Sequence, residues 1–186
     1  GNISDDPQLV DDFHLAVTSP CRGMGSSLYS VGADIEGEPW TNPPSMGCDE
    51  VWESALTGPL SVSLTAAYPE VAASGTMPLT GQIVGRASRL EWSFGEGPTY
   101  TNLSYFTSYK WMNTGDYTVT FTAFNADNPS GVSANLLVHV VPLVAPLLSV
   151  AGVTETNFSL SFPGQPGVTY WVEQTTNLVP PVKWQL

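Results

Sequence analysis

Basic residues are scarce in this chain of 186 residues, which contains 5 Lys and Arg against 17 Asp and Glu. A protein that binds nucleic acid needs a basic surface that neutralises phosphates, so this composition argues against that class of partner. Apolar runs are short, and none approaches the roughly 18 residues that a membrane-spanning helix needs. Histidine occurs only at His14 and His139, and the motifs of serine hydrolases, P-loop enzymes, dinucleotide-binding enzymes and zinc proteases are missing. We therefore predict no membrane span, no nucleic-acid partner and no enzymatic activity.

Turn-forming residues are abundant, with 17 Gly and 16 Pro. This density leaves little room for long helices and suits many short strands. The acids are unevenly spread, because residues 1–57 hold ten of them and a single base. Proline-containing stretches at 57–59 and 141–146 mark two boundaries. We predict three parts: an acidic N-terminal segment over 1–57, a middle domain over 58–142 and a C-terminal module over 143–186.

The middle domain shows a regular alternation of apolar and polar residues. Apolar residues at every second position form one face of a half-buried strand, and here they are Trp92 and Phe94, then Tyr117, Val119 and Phe121. Turns rich in Gly and Asn separate such segments at intervals of about ten residues. The pattern predicts an all-β, immunoglobulin-like sandwich with these five side chains as its structural core.

Several stretches of this domain resemble the polycystic-kidney-disease (PKD) domain, namely residues 92–97, 115–120 and 131–133 together with Asn125. The resemblance covers roughly residues 58–142. It implies that Trp92 fills the centre of the sandwich and that Tyr117 forms a tyrosine corner, whose hydroxyl holds a neighbouring loop. The family usually has Asp at two positions where this chain has Ser93 and Glu96.

The acidic N-terminal segment resembles the closing segment of secreted right-handed parallel β-helix proteins. The resemblance rests on residues 11–15, 19–21, 32–40 and 45–50. In those proteins the segment covers the apolar end of the last coil of a solenoid. The resemblance implies a small β-rich cap on a secreted protein, although no repeated coils precede it in this chain.

Cysteine occurs only at Cys21 and Cys48, both in the N-terminal segment. A disulfide between them would stabilise the fold by about 3.6 kcal/mol in the chain-entropy model. Two free thiols are the alternative, whereas a zinc site is disfavoured because zinc wants four ligands and the nearest histidine is His14. We predict the disulfide, and with it a secreted or cell-surface location.

The carboxylates of the N-terminal segment offer one possible metal site. Asp34, Glu36 and Glu38 alternate beside a glycine, and hard oxygen ligands in such a turn suit calcium. A plain acidic turn is the favoured alternative, so no cofactor other than a possible calcium ion is predicted. The adjacent pairs Asp11–Asp12 and Asp49–Glu50 are the one candidate for catalysis, since a glycosidase needs only two carboxylates. Neighbours on a strand point to opposite faces and do not converge, so we predict that these acids are surface charges.

Aromatic residues raise the possibility of sugar or partner binding. Tyr100, Tyr105 and Tyr109 lie close together in one loop region, and the candidate tryptophans are Trp40, Trp52, Trp111, Trp171 and Trp184. We predict Tyr100, Tyr105 and Trp111 as the possible contacts. Such rings stack on the apolar faces of sugars, but aromatic side chains of β-sandwiches more often pack in the core.

The C-terminal module alternates again, and the pattern predicts one strand at Phe158, Leu160 and Phe162 and another at Val168, Tyr170 and Val172. A complete sandwich needs about seven strands, so this module is a partial fibronectin-like or PKD-like sandwich with open strand edges. Open edges favour pairing with another chain.

Two functional hypotheses follow. The first is a non-catalytic extracellular structural or adhesion module, which contacts neighbouring surface proteins or other copies of itself, head to tail, as a unit of a fibre on a bacterial surface. The alternative is an accessory region, either a carbohydrate-binding module or a spacer, of a large secreted enzyme that degrades polysaccharides.

Overall fold

Residues 3–101 and 103–173 are described by the computed structural model, and this part of the chain is all-β as predicted. Its helical turns are short 3-10 helices at Ser27–Tyr29 and Glu53–Ala55. Its strands are β1 Ser61–Ala66, β2 Glu70–Ala72, β3 Met77–Val84, β4 Arg89–Ser93, β5 Phe106–Tyr109, β6 Gly115–Phe124, β7 Val132–Val141, β8 Ser149–Val153 and β9 Phe158–Ser161.

The first seven strands form the two sheets of an immunoglobulin-like sandwich. One sheet has the order β1-β3-β5, and the other has the order β2-β7-β6-β4. Strand β2 pairs with β7 in parallel, whereas the other pairings in these sheets are antiparallel. The predicted fold class is confirmed.

The core lies between these sheets, and aromatic rings dominate it. Trp92, Val119 and Phe121 are fully buried and Phe94 is 1% exposed. The rings of Trp92 and Phe121 have centroids 4.5 Å apart, and the Trp92 Nε1–H donates to the Ser104 carbonyl oxygen at 3.0 Å. The apolar face of each alternating strand therefore meets the opposite sheet.

Tyr117 lies at the edge of this core, at the start of β6. Its ring packs on Trp111, with centroids 5.5 Å apart, and its hydroxyl donates to the carbonyl oxygen of Asn113 at 3.1 Å. The hydroxyl thus holds the turn that precedes β6, which is the arrangement that a tyrosine corner requires.

The N-terminal segment packs directly on the sandwich. Val10 and Ala16 belong to the same buried cluster as the sandwich core. The Val17 amide donates to the Ser88 carbonyl oxygen at 2.9 Å, and the Tyr105 amide donates to that of Leu9 at 2.8 Å. Within residues 3–57 the β structure consists of the isolated bridges Leu9–Leu15 and Ala33–Pro39.

In the described part of the C-terminal module, β8 and β9 form an antiparallel pair, which we call the β8–β9 hairpin. The strand predicted at Val168–Val172 does not form, and this prediction is wrong. The chain turns at Gly167, whose φ is 75°, and the Gly167 carbonyl oxygen accepts from the Thr76 amide at 2.8 Å. A Cβ at Gly167 would lie 2.4 Å from the Thr76 carbonyl oxygen, so this contact requires glycine. Residues 174–186 of the predicted module lie outside the described residues.

Candidate functional site

Three parts of the N-terminal segment bring His14, Glu36 and Asp49 together, and we call these residues the His14 cluster. Nδ1 of His14 lies 2.8 and 2.7 Å from the two carboxylate oxygens of Asp11. Nε2 of the same ring lies 2.5 Å from Oε1 of Glu36. One ligand atom from each cluster member lies within 4.8 Å of the other two. The imidazole thus bridges two carboxylates and faces a third.

Asp49 is the buried member of the cluster, with 2% of the residue exposed. Its Oδ2 accepts a hydrogen bond from the Leu15 amide at 2.9 Å. Its Oδ1 is buried and has no hydrogen-bond partner among the described residues. A buried carboxylate oxygen without a partner is costly, so this atom is unusual in a folded protein.

The electrostatics of the cluster follow from this arrangement. The hydrogen bond to Asp11, helped by the one to Glu36, raises the pKa of His14 to about 9. Burial raises the pKa of Asp49, although the hydrogen bond from Leu15 opposes the shift. Burial acts on Asp11 in the same direction, but hydrogen bonds from His14 and from the Phe13 amide bring its pKa below the usual value. Without another cation, the cluster therefore favours a protonated His14.

The three acids of the possible calcium site, for which a plain acidic turn is the favoured interpretation, bind different partners. Asp34 closes its own turn, because its Oδ1 accepts from the amides of Glu36 and Glu38 at 3.0 and 2.8 Å. Glu38 instead forms a two-pronged ion pair with Arg86 of the β3–β4 connection, at 3.1 and 3.2 Å. Glu36 points to His14. The carboxylates thus serve three different partners, and of these acids only Glu36 belongs to the His14 cluster.

The prediction that Asp49 and Glu50 are surface charges is wrong, because the two residues are 2% and 3% exposed. Glu50 accepts hydrogen bonds from the Ser45 amide and hydroxyl at 2.9 and 2.8 Å. Burial acts to raise the pKa of Glu50, but these hydrogen bonds and those from Thr41 lower it overall. Folded loops supply donors to both acids, which is how neighbouring carboxylates become buried.

The predicted disulfide is not formed, because Cys21 and Cys48 are both free. Cys21 is buried in an apolar cluster with Leu15, Val51 and Leu56. Cys48 is exposed, and its Sγ donates to the Phe13 carbonyl oxygen at 3.7 Å. The two thiols thus have different surroundings, although the Met46 amide donates to the Cys21 carbonyl oxygen at 2.9 Å.

The predicted sugar contacts do not form an exposed aromatic surface. Trp111 is fully buried and its Nε1–H donates to the Phe94 carbonyl oxygen at 2.9 Å, so its assignment as a contact residue is wrong. Tyr100 packs on Phe94, with centroids 5.5 Å apart. Tyr105 donates its hydroxyl to Asp12 at 2.5 Å, and this hydrogen bond raises the pKa of Tyr105 to about 12.

A different pair of aromatic residues borders a surface groove in the N-terminal segment. Tyr29 and Trp40 line it together with small residues and proline, and its volume is about 270 Å³. Tyr29 is 76% exposed. We call this feature the Tyr29–Trp40 groove. Sequence reasoning considered Trp40 and missed Tyr29, because only the folding of the loops between residues 25 and 47 makes them neighbours.

Comparison with known proteins bears on the sandwich. No curated protein matches the chain. None of the helices within residues 3–101 and 103–173 has the length and apolarity that a membrane crossing requires. The family model of the PKD domain matches residues 61–140, which run from the first residue of β1 to the penultimate residue of β7. PKD domains are generally non-catalytic modules of extracellular proteins with structural or adhesive roles. Residues 61–140 are therefore similar to a PKD domain and form an immunoglobulin-like sandwich, on which the N-terminal segment packs.

Proposed function

We propose that the chain is a non-catalytic extracellular module that self-associates head to tail as a unit of a surface fibre. The observation that carries this proposal is the exposure of apolar side chains on the β8–β9 hairpin. Val150 and Val153 of β8 are 59% and 69% exposed, and Leu160 of β9 is 45% exposed. Exposed apolar side chains on a two-stranded sheet favour a partner, because such a hairpin is only marginally stable alone.

A second group of exposed apolar residues supports a head-to-tail contact. Leu28 and Val31 of the N-terminal segment are each 82% exposed, and Met24 is 61% exposed. These residues and the hairpin belong to different parts of the chain. Two different surfaces that contact each other between copies form a heterologous interface, and such an interface propagates into a ring or a filament.

The PKD-type sandwich would act as the rigid spacer between the two surfaces. Its aromatic core is continuous with the buried residues Val10 and Ala16 of the N-terminal segment. The ion pair between Arg86 and Glu38 joins the same two parts of the chain. Because the N-terminal segment and the sandwich are packed together, they would keep a fixed geometry within each copy of the fibre.

We expect the purified chain to form concentration-dependent oligomers in analytical ultracentrifugation. Variants that place charge on one surface, Val150→Lys with Leu160→Lys or Leu28→Lys with Val31→Lys, should each be monomeric. Because each double variant keeps the surface that the other lacks, an equal mixture should form dimers and no longer species. The matched control is Ser63→Lys with Gln82→Lys on the outer face of the sandwich, which should assemble like the original chain.

A strictly monomeric original chain at the highest attainable concentration would contradict the fibre proposal. Dimers that survive the Leu28→Lys and Val31→Lys changes would instead indicate a symmetric hairpin-to-hairpin contact. That result would exclude the head-to-tail arrangement.

The alternative function, a carbohydrate-binding accessory region, is favoured by the Tyr29–Trp40 groove. Tyr29 is exposed and Trp40 is half-buried, and aromatic rings beside a groove can stack on the apolar faces of sugar rings. In affinity electrophoresis through gels that contain soluble polysaccharides, a binding chain should be retarded, and Tyr29→Ala or Trp40→Ala should abolish the retardation. Trp171→Ala is the matched control, because Trp171 is 76% exposed and lies outside the groove. If the original chain migrates equally fast in gels with and without each polysaccharide, this alternative is excluded for the polysaccharides used.

A further inference from the structure

We propose that His14, Glu36 and Asp49 bind a divalent transition-metal ion, and that zinc is the ion that their donor set fits best. The site lies within the N-terminal segment and is independent of the self-association surfaces. An ion at this site would join three loop stretches of the N-terminal segment, a part of the chain with little regular secondary structure.

The ligand atoms of the cluster lie close to the spacing that a common ion requires. Zinc binds imidazole nitrogen and carboxylate oxygen at about 2.0–2.2 Å in tetrahedral geometry, so two of its ligand atoms lie about 3.3–3.6 Å apart. The three ligand atoms of the cluster lie within 4.8 Å of one another, so the more distant of them need to approach by at most about 1.5 Å to share one ion. Nε2 of His14 and Oε1 of Glu36, which are 2.5 Å apart, would separate slightly as the ion enters between them.

The unpartnered oxygen of Asp49 is the independent observation that points to a ligand. Asp49 is almost completely buried, and its Oδ1 has no hydrogen-bond donor among the described residues. A small, mostly apolar cavity of about 10 Å³ borders Asp49 and His14 but not Glu36, and it has room for about one water-sized particle on the inner side of the cluster. An ion coordinated by Asp49 would satisfy a group that is otherwise left without a partner.

The neighbours of the cluster supply the outer shell that metal sites usually have. Asp11 holds Nδ1 of His14 from two oxygens at 2.7 and 2.8 Å. A hydrogen bond from Nδ1–H to a carboxylate leaves Nε2 as the metal-binding nitrogen and fixes the plane of the ring. The Leu15 amide fixes Asp49 in the same way, through Oδ2.

The chemistry of the donors selects the class of ion. One imidazole nitrogen and two carboxylate oxygens suit zinc, whereas calcium takes six to eight oxygen ligands. Three protein ligands leave a fourth position for water, which is the composition of an open zinc site. The nearby Arg86 forms its ion pair with Glu38, and the charges of Glu36 and Asp49 also contribute to raising the pKa of Arg86.

The test is calorimetric titration of the chelator-treated full chain with zinc chloride, in a Cys48→Ser background that removes the exposed thiol. We expect one zinc ion per chain and a rise in the melting temperature, with no comparable effect from calcium chloride. His14→Gln and Asp49→Asn should abolish the binding. Asp11→Asn should weaken it by about ten- to a hundredfold, as loss of an outer-shell partner does. His139→Gln is the matched control, because His139 is an exposed histidine paired with Asp116 at 2.7 Å.

A second measurement does not depend on how the variants fold. Cobalt chloride added to the otherwise unaltered Cys48→Ser chain should produce visible absorption bands of a low-coordinate site with nitrogen and oxygen ligands, and zinc should displace them. Absence of zinc binding to this chain would overturn the proposal. Binding that survives Asp49→Asn, or that is lost with His139→Gln, would overturn it equally.

Discussion

Replacing Trp92 with alanine is expected to destabilise the chain by about 3–5 kcal/mol, which is the usual cost of truncating a buried aromatic residue. The ring of Trp92 is fully buried and contacts Phe94 and Phe121, with centroids 6.0 and 4.5 Å away. Its removal also leaves the Ser104 carbonyl oxygen without the hydrogen bond from Nε1. Urea unfolding followed by circular dichroism measures the change in the free energy of unfolding.

The matched control for this prediction is Trp171→Ala. Trp171 is 76% exposed, and exposed substitutions usually change stability by less than about 0.5 kcal/mol. If Trp92→Ala and Trp171→Ala lower the free energy of unfolding by similar amounts, Trp92 is not the centre of the core. A loss of less than about 1 kcal/mol for Trp92→Ala would lead to the same conclusion, because truncation of a buried aromatic residue costs more.

The strands that could be predicted are those in which side-chain burial follows the period of two. In β4 the buried residues are Leu90 and Trp92, and in β6 Val119, Phe121 and Ala123 alternate with less buried threonines until Phe124 ends the pattern. Strand β3 was not predicted. Its buried face consists of Met77, Leu79 and Gly81, and because glycine has no apolar side chain the alternating pattern is broken at Gly81. Strand β2 has only three residues, and it is defined by its parallel pairing with the end of β7.

The His14 cluster could not be predicted, because its members are separated by 22 and 13 positions along the chain. Sequence reasoning treated Asp49 and Glu50 as surface charges, because neighbours on a strand point to opposite faces and do not converge. The fold buries both Asp49 and Glu50. The Glu50 amide donates to Oδ2 of Asp34 at 3.0 Å, and this hydrogen bond holds residues 49–50 against the turn that Asp34 closes. Contacts of this kind depend on loop conformation, and loop conformation has no simple period.

The failed disulfide prediction has a similar origin. The chain-entropy argument concerns only the stabilisation that a disulfide would give once formed. It contains no information on where each thiol points. In the structure Cys21 belongs to a buried apolar cluster, whereas Cys48 is exposed beside Phe13. A buried cysteine behaves as a small apolar residue, and packing is a sufficient reason for Cys21.

Replacing Gly81 with alanine is expected to destabilise the chain by about 2–3 kcal/mol, because overpacking forces buried neighbours to move. A Cβ at this position would lie 2.1 Å from Cε1 of Phe121. The Phe121 ring cannot retreat freely, since it is fully buried and packs on Trp92. Thermal and urea unfolding should both show the loss.

Two further variants separate this steric cause from the general cost of changing a strand glycine. Gly152→Ala in β8 is the matched control, because no atom lies within 4 Å of the added Cβ, and it should leave stability nearly unchanged. Combining Gly81→Ala with Phe121→Leu should cost less than the sum of the single changes by about 1 kcal/mol, since the smaller side chain makes room for the methyl group. Strict additivity would show that the methyl group and the Phe121 ring do not compete for space. The packing of β3 against β6 described above would then be incorrect.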